Sequence, residues 1–87
     1  MTFFMPYSVY IIYSASVDQY YVGHTQNLTD RLYRHRNSGS KSTRKANDWQ
    51  LVYSEIFLTR AEAARRERAI KTQKSRTYIE QLIRENG

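Results

Sequence analysis

Three short stretches of this chain mass apolar and aromatic residues as β-strands do, and three longer ones repeat apolar residues at helical spacing. "YSVYIIYS" (7–14) is short and rich in Tyr, Val and Ile, which predicts a strand. "ASVDQ" reads as a polar connection, and "YYVGH" (20–24) predicts a second strand. The two make an antiparallel hairpin with a loop of about five residues. Gly23 ends the second strand, where a missing side chain allows an unusual dihedral or a close approach of backbone. Asn27 is the expected N-cap of a helix from about Leu28 to Ser38, with Gly39 as its stop. Leu28 and Leu32 supply its packing stripe, while Arg31 and His35, also four apart, lie together on an adjoining face.

"SKSTRKANDW" (40–49) reads as a flexible basic loop, and "QLVYSEIF" (50–57) as the third strand. Thr59 and Glu62 spell a capping box that opens a helix running to about Gln73. At ~100° per residue, Ala63, Glu67 and Ile70 share a narrow sector flanked by Ala64. A carboxylate thus sits in the middle of the one inward stripe of a very polar helix. Ser75 or Thr77 caps a last helix, whose Tyr78, Ile79, Leu82 and Ile83 give an apolar face. The order is β-β-α-β-α-α. It predicts one α/β (α+β) domain over residues 1–87, with a small, mainly antiparallel three-stranded sheet flanked by helices.

Composition narrows this further. A chain of 87 residues buries only about 60–65% of its unfolded surface, so the core is modest. Without cysteine there are no disulfides and no thiolate zinc sites, which suits a reducing cytosol. The opening "MTFFMPYSVYIIY" is apolar but lacks a basic flank, is interrupted by Pro6 and Ser8, and falls short of a membrane span of ~18–20 residues. The expectation is a soluble cytoplasmic protein with no membrane contact. The formal charge is +6, unevenly spread. Residues 1–30 carry −2, residues 31–76 hold thirteen of the fourteen bases against four acids, and residues 77–87 carry −1. A basic belt of this kind suits an anionic partner, nucleic acid above all, although a charge run also serves as a solvated surface.

Taken singly, the polar residues of interest have ordinary readings. Tyr10 and Tyr21 fit a half-buried pleat, Arg31 a solvated helix face, and Gly23 a strand end. His35 suits a helix C-terminus, where a cation is favoured. Glu67 is satisfied by an ion pair with an arginine of the same domain.

Taken together they form a pattern. "SVY" (8–10), followed eleven residues later by "YVG" (21–23), resembles the paired motif of the GIY-YIG nuclease superfamily. That superfamily includes the cleavage domain of the UvrC repair excinuclease, phage homing endonucleases and small stand-alone UvrC-like proteins. "NLTDRLYRH" (27–35) is similar to the family's first-helix segment, and "RRERAIK" (65–71) to the helix carrying its glutamate. Four motifs in order, spanning roughly residues 7–74, make the resemblance specific. Two positions depart from the pattern: Ser8 replaces the first glycine, and His24 follows the YVG glycine where UvrC-like chains have lysine.

The resemblance implies an endonuclease that hydrolyses DNA phosphodiesters with one Mg²⁺ or Mn²⁺ ion, in a setting such as DNA repair. It implies Glu67 on the metal, Arg31 on the scissile phosphate, Tyr10 and Tyr21 with the attacking water, and His35 in support. Gly23, His24, Lys41, Arg44, Lys45, Lys71 and Lys74 would contact the substrate. The chemistry suits these residue types: a guanidinium offers a phosphate a planar fork that keeps its charge, and magnesium is commonly held by one or two carboxylates and several waters. Which tyrosine acts as base is left open, as is the oligomeric state. The alternative is a nucleic-acid-binding module with a weak or inactive site, its targeting supplied by a partner protein.

Overall fold

The computed structural model describes residues 5–37 and 39–86. Its sheet has the strand order β2–β1–β3, with β1 (Tyr7–Ser14) in the middle, β2 (Gln19–Thr25) on one side and β3 (Gln50–Phe57) on the other. Both pairings are antiparallel. Three helices follow the expected order: α1 (Leu28–Asn37), α2 (Arg60–Thr72) and α3 (Arg76–Asn86). This is the α+β architecture that the sequence predicts. Ser38, the expected last residue of α1, and the first four residues of the apolar opening lie outside the described residues. No helix among the described residues is long and apolar enough to cross a membrane.

The alternation of β1 builds two cores, one on each face of the sheet. Val9 and Ile11 join Val22, Tyr53, Ala63 and Ile70 beneath α2 and α3. Tyr10 and Ile12 point the other way, toward Trp49, Leu28 and Leu32. Burying an aliphatic side chain of this size contributes about 1.5–3 kcal/mol, so the four apolar residues of the central strand, all fully buried, are a large part of what holds so small a fold together.

The helix ends use the expected caps. Asn27 Oδ1 accepts the Asp30 amide at 3.0 Å, and Thr59 Oγ1 accepts the Glu62 amide at 3.2 Å. The return half of the capping box differs: Glu62 accepts from the Thr59 hydroxyl rather than from its backbone N–H. Of the two candidates for α3, Ser75 is the cap, accepting the Tyr78 amide at 3.1 Å. Gly39 takes φ +66°, the left-handed conformation that ends α1, and its N–H bonds the Arg34 carbonyl.

Two expectations are corrected. Gly23 does not end β2, which continues to Thr25. Nor is the segment after Gly39 a flexible loop. Thr43 and Arg44 donate backbone hydrogen bonds to the Ser40 carbonyl, and the Trp49 indole donates to the Thr43 carbonyl at 2.8 Å. Thr43 is fully buried and Trp49 almost so. Its lysines and arginine face solvent, but two buried side chains anchor it.

Candidate active site

The site begins with an absence. Tyr10 on β1 pairs with Gly23 on β2, and the phenol ring lies across the glycine. A Cβ at Gly23 would stand 2.6 Å from the Tyr10 hydroxyl oxygen and 2.8 Å from Cζ. Gly23 has an ordinary φ, since Gly39 is the one glycine with a positive value among the described residues. Of the two roles that the sequence allows this residue, the close approach is the one realised.

Tyr10 in turn is tied to α1. Its hydroxyl lies 2.8 Å from His35 Nε2, and His35 Nδ1 lies 2.8 Å from Thr43 Oγ1. Arg31, one turn before His35, is close enough for its charge to act on the same hydroxyl. The Tyr21 ring stands 5.0 Å from the His35 ring and 6.5 Å from that of Tyr10. Burial, and after it the neighbouring Tyr21, pushes the Tyr10 pKa far above that of a free phenol, against the opposing pull of Arg31. Burial, and after it Arg31, holds the His35 imidazole below the usual histidine value. His35 is therefore no solvated helix-end cation but a buried, neutral imidazole.

A stability prediction follows. An unfolded histidine titrates near ~6.5, and the folded His35 titrates lower. Between those values the unfolded chain binds more protons, so stability declines as the pH falls through the window. The melting temperature should drop on acidification from neutral pH, and His35→Gln should lack that share of the drop. Parallel melting profiles for the two proteins would contradict it.

Glu67 occupies the half-buried centre of the α2 stripe, between buried Ala63 and Ile70. Its Oε1 lies 2.6 Å from His24 Nδ1, and its Oε2 accepts from Lys71 Nζ at 2.6 Å. Burial is the largest influence on the carboxyl and works against ionisation. The hydrogen bonds from Lys71 and His24 outweigh it, so the pKa falls below the ordinary carboxylate value. On the ordinary reading an arginine would satisfy this acid; among the described residues its partners are a lysine and an imidazole instead. Lys71 is thus held at the site, with its ammonium also 5.7 Å from the centre of the Tyr21 ring.

No three His, Cys, Asp or Glu side chains gather as a metal-binding group among the described residues. A lone ionised, partly exposed carboxylate fits a magnesium-class ion that keeps most of its water shell. It does not fit zinc, which takes three or four protein ligands.

Open hollows surround this cluster. Tyr21, Arg31, Arg34, His35, Gly39 and Ser40 line one of ≈ 490 Å³. His24, Arg31 and Arg34 help line a second of ≈ 370 Å³, so the guanidinium and the imidazole bound to Glu67 share a wall. Tyr10 lies beneath these surfaces with no exposure of its own. Lys71 and Lys74 line a third hollow on the other side of Tyr21. Arg44 and Lys45 line a fourth beyond His35, and Lys41 is exposed on the same segment. Sequence reasoning missed Thr43 and Arg34. Nothing local marks Thr43, whose role depends on a contact with α1, whereas Arg34 could have been found from its place one residue before His35 on a basic helix.

Fold and site together define a nuclease-type domain: a short antiparallel sheet that brings two phenols, a guanidinium, an imidazole and a single acid to one place. The model of the GIY-YIG catalytic domain matches residues 6–79, and the chain belongs to the GIY-YIG family. A UPF0213 protein of Staphylococcus saprophyticus is 42% identical over 53 residues, which cover 60% of this chain and 65% of that relative. A UPF0213 protein of Staphylococcus aureus (strain Mu3) is 37% identical over 65 residues, covering 74% of this chain and 78% of the relative. The chain thus spans slightly less than two thirds of the first relative and more of the second. No solved structure matches it.

Proposed function

We propose that this chain is a divalent-metal-dependent endonuclease that hydrolyses DNA phosphodiesters. The observation that carries the reading is convergence on one hydroxyl. Tyr10 is hydrogen-bonded to His35 and feels the charges of Arg31 and Glu67, with Tyr21 alongside. These groups come from β1, β2, α1 and α2, and a core requires none of the charges among them.

Arg31 grips the scissile phosphate and offsets its charge. The attacking water gives its proton to the Tyr10 oxygen as Tyr10 passes its own to His35. Tyr21, on the wall of the hollow, orients the water. The Tyr10–His35 hydrogen bond gives the phenolic proton an acceptor. Glu67 holds the metal, and bound Mg²⁺ or Mn²⁺ supplies Lewis-acid stabilisation at the phosphate. Lys41, Arg44, Lys45 and Lys74 grip the flanking backbone without reading sequence.

The test is nicking of plasmid and branched DNA across a titration of Mg²⁺ and Mn²⁺, with Glu67→Ala as the control. Cleavage should require the metal and fall by at least about a hundredfold in the variant. Cleavage that ignores either metal or Glu67 would refute the assignment. A second reading, a nucleic-acid-binding module, draws on the fact that both Glu67 oxygens already have partners. Salt-sensitive binding with no cleavage at any metal concentration would favour it.

A further inference from the structure

His35 has both ring nitrogens engaged, and the direction of each hydrogen bond follows from its neighbours. The Tyr10 hydroxyl is fully buried. His35 Nε2 is the one acceptor within hydrogen-bond distance of it among the described residues. Its other polar neighbour, Arg31, can only donate. The Tyr10 O–H must therefore donate to Nε2, because the opposite arrangement strands a buried hydroxyl proton, at a cost of about 1–3 kcal/mol. With Nε2 accepting, a neutral ring carries its proton on Nδ1, and that proton needs an acceptor.

Thr43 Oγ1 is that acceptor, at 2.8 Å. Its own surroundings hold it in the role. The Ser40 amide donates to the same oxygen at 2.9 Å and fills one lone pair. The Ser40 hydroxyl, 3.2 Å away, receives the threonine proton. The second lone pair of Oγ1 then faces Nδ1–H. The Ser40 hydroxyl, being exposed, is left to donate to solvent, and no buried side-chain nitrogen or oxygen among the described residues is left without a partner.

We infer that Thr43 is the positioning residue that fixes His35 in its Nδ1–H tautomer, leaving Nε2 free to take the Tyr10 proton. This rests on the nuclease reading for its functional meaning, although the tautomer itself does not. A threonine eight residues past the histidine, in a segment that is otherwise basic and exposed, thus works with the phenol to hold the ring proton on Nδ1.

The test reads the ring directly. In protein labelled with ¹⁵N at histidine, above the His35 titration, Nδ1 should give the pyrrole-type signal and Nε2 the pyridine-type signal. Thr43→Val removes the acceptor and should move the population toward Nε2–H; Thr43→Ser, which keeps the hydroxyl, should restore the wild-type pattern. Should the valine variant not fold, Thr43→Ala makes the same deletion with a smaller side chain. An Nε2–H ring in the wild-type protein, or an unchanged ring in the hydroxyl-free variants, overturns the inference. On the nuclease reading, cleavage falls by about 10–100-fold in the same variants, as when an outer partner of a functional imidazole is lost, and serine recovers most of it. A tautomer that shifts as described in a protein that never cleaves DNA would leave this assignment standing and refute the nuclease reading instead.

Discussion

Tyr10→Phe should lower the rate of metal-dependent DNA cleavage by about 10²–10⁴-fold, the range spanned by losing a positioned proton-transfer group. The substitution keeps the ring, so the core of Tyr10, Ile12 and Trp49 stays filled and the ring still lies over Gly23. What disappears is the hydroxyl, and with it the donor to His35 Nε2. A buried polar atom left without its partner costs about 1–3 kcal/mol, so the variant should fold but melt lower. Binding of DNA to the exposed lysines and arginines should stay close to wild type, because none of them touches the phenol. Single-turnover cleavage beside a binding titration separates the two effects. Wild-type turnover in the phenylalanine variant would remove Tyr10 from the chemistry.

Gly23→Ala should damage fold and function together. One methyl group is added, but it arrives 2.6 Å from the Tyr10 oxygen and 3.1 Å from Cε1, well inside contact distance. The phenol has no easy retreat, since it is fully buried and its hydroxyl is tied to His35. Either the two strands part locally or the hydrogen bond breaks. Overpacking of this kind costs about 1–3 kcal/mol, which would appear as a lower urea midpoint at unchanged slope. Cleavage should fall as far as in Tyr10→Phe, since the same hydroxyl is displaced. In the double variant the worst clash is gone while those with ring carbons remain, so the combined loss of stability should be less than the sum of the two. Strict additivity would mean that the glycine and the phenol do not meet.

Much of this was legible in the sequence, for identifiable reasons. β1 and β3 could be read to the residue because aromatic and β-branched runs have sharp polar edges, and the three helices because each opens on a side-chain cap. Glu67 stood out as an acid on an apolar stripe, and the motif spacing joined it to Arg31 and the two tyrosines. What escaped depended on register and distant contact. Gly23 could be read as a strand end or as a close approach, and only its pairing opposite Tyr10 decides between them. Lys71 stands four residues after Glu67, a spacing that favours an ion pair within a helix, and that pair could have been read from the sequence. The segment after Gly39 looked flexible because its order comes from Thr43 meeting α1 and Trp49 entering a core. Neither contact leaves a periodic trace.

The position of β1 at the centre of the sheet carries one more consequence. Tyr10 has a strand on either side and stands in the element that feeds both cores, so local fraying of the hairpin tip or of the chain ends leaves it undisturbed. Exposing it by backbone opening means taking the whole assembly apart, which is the slowest and costliest fluctuation available to a protein. The hydroxyl proposed to act on the water is thereby housed in the most durable part of the molecule.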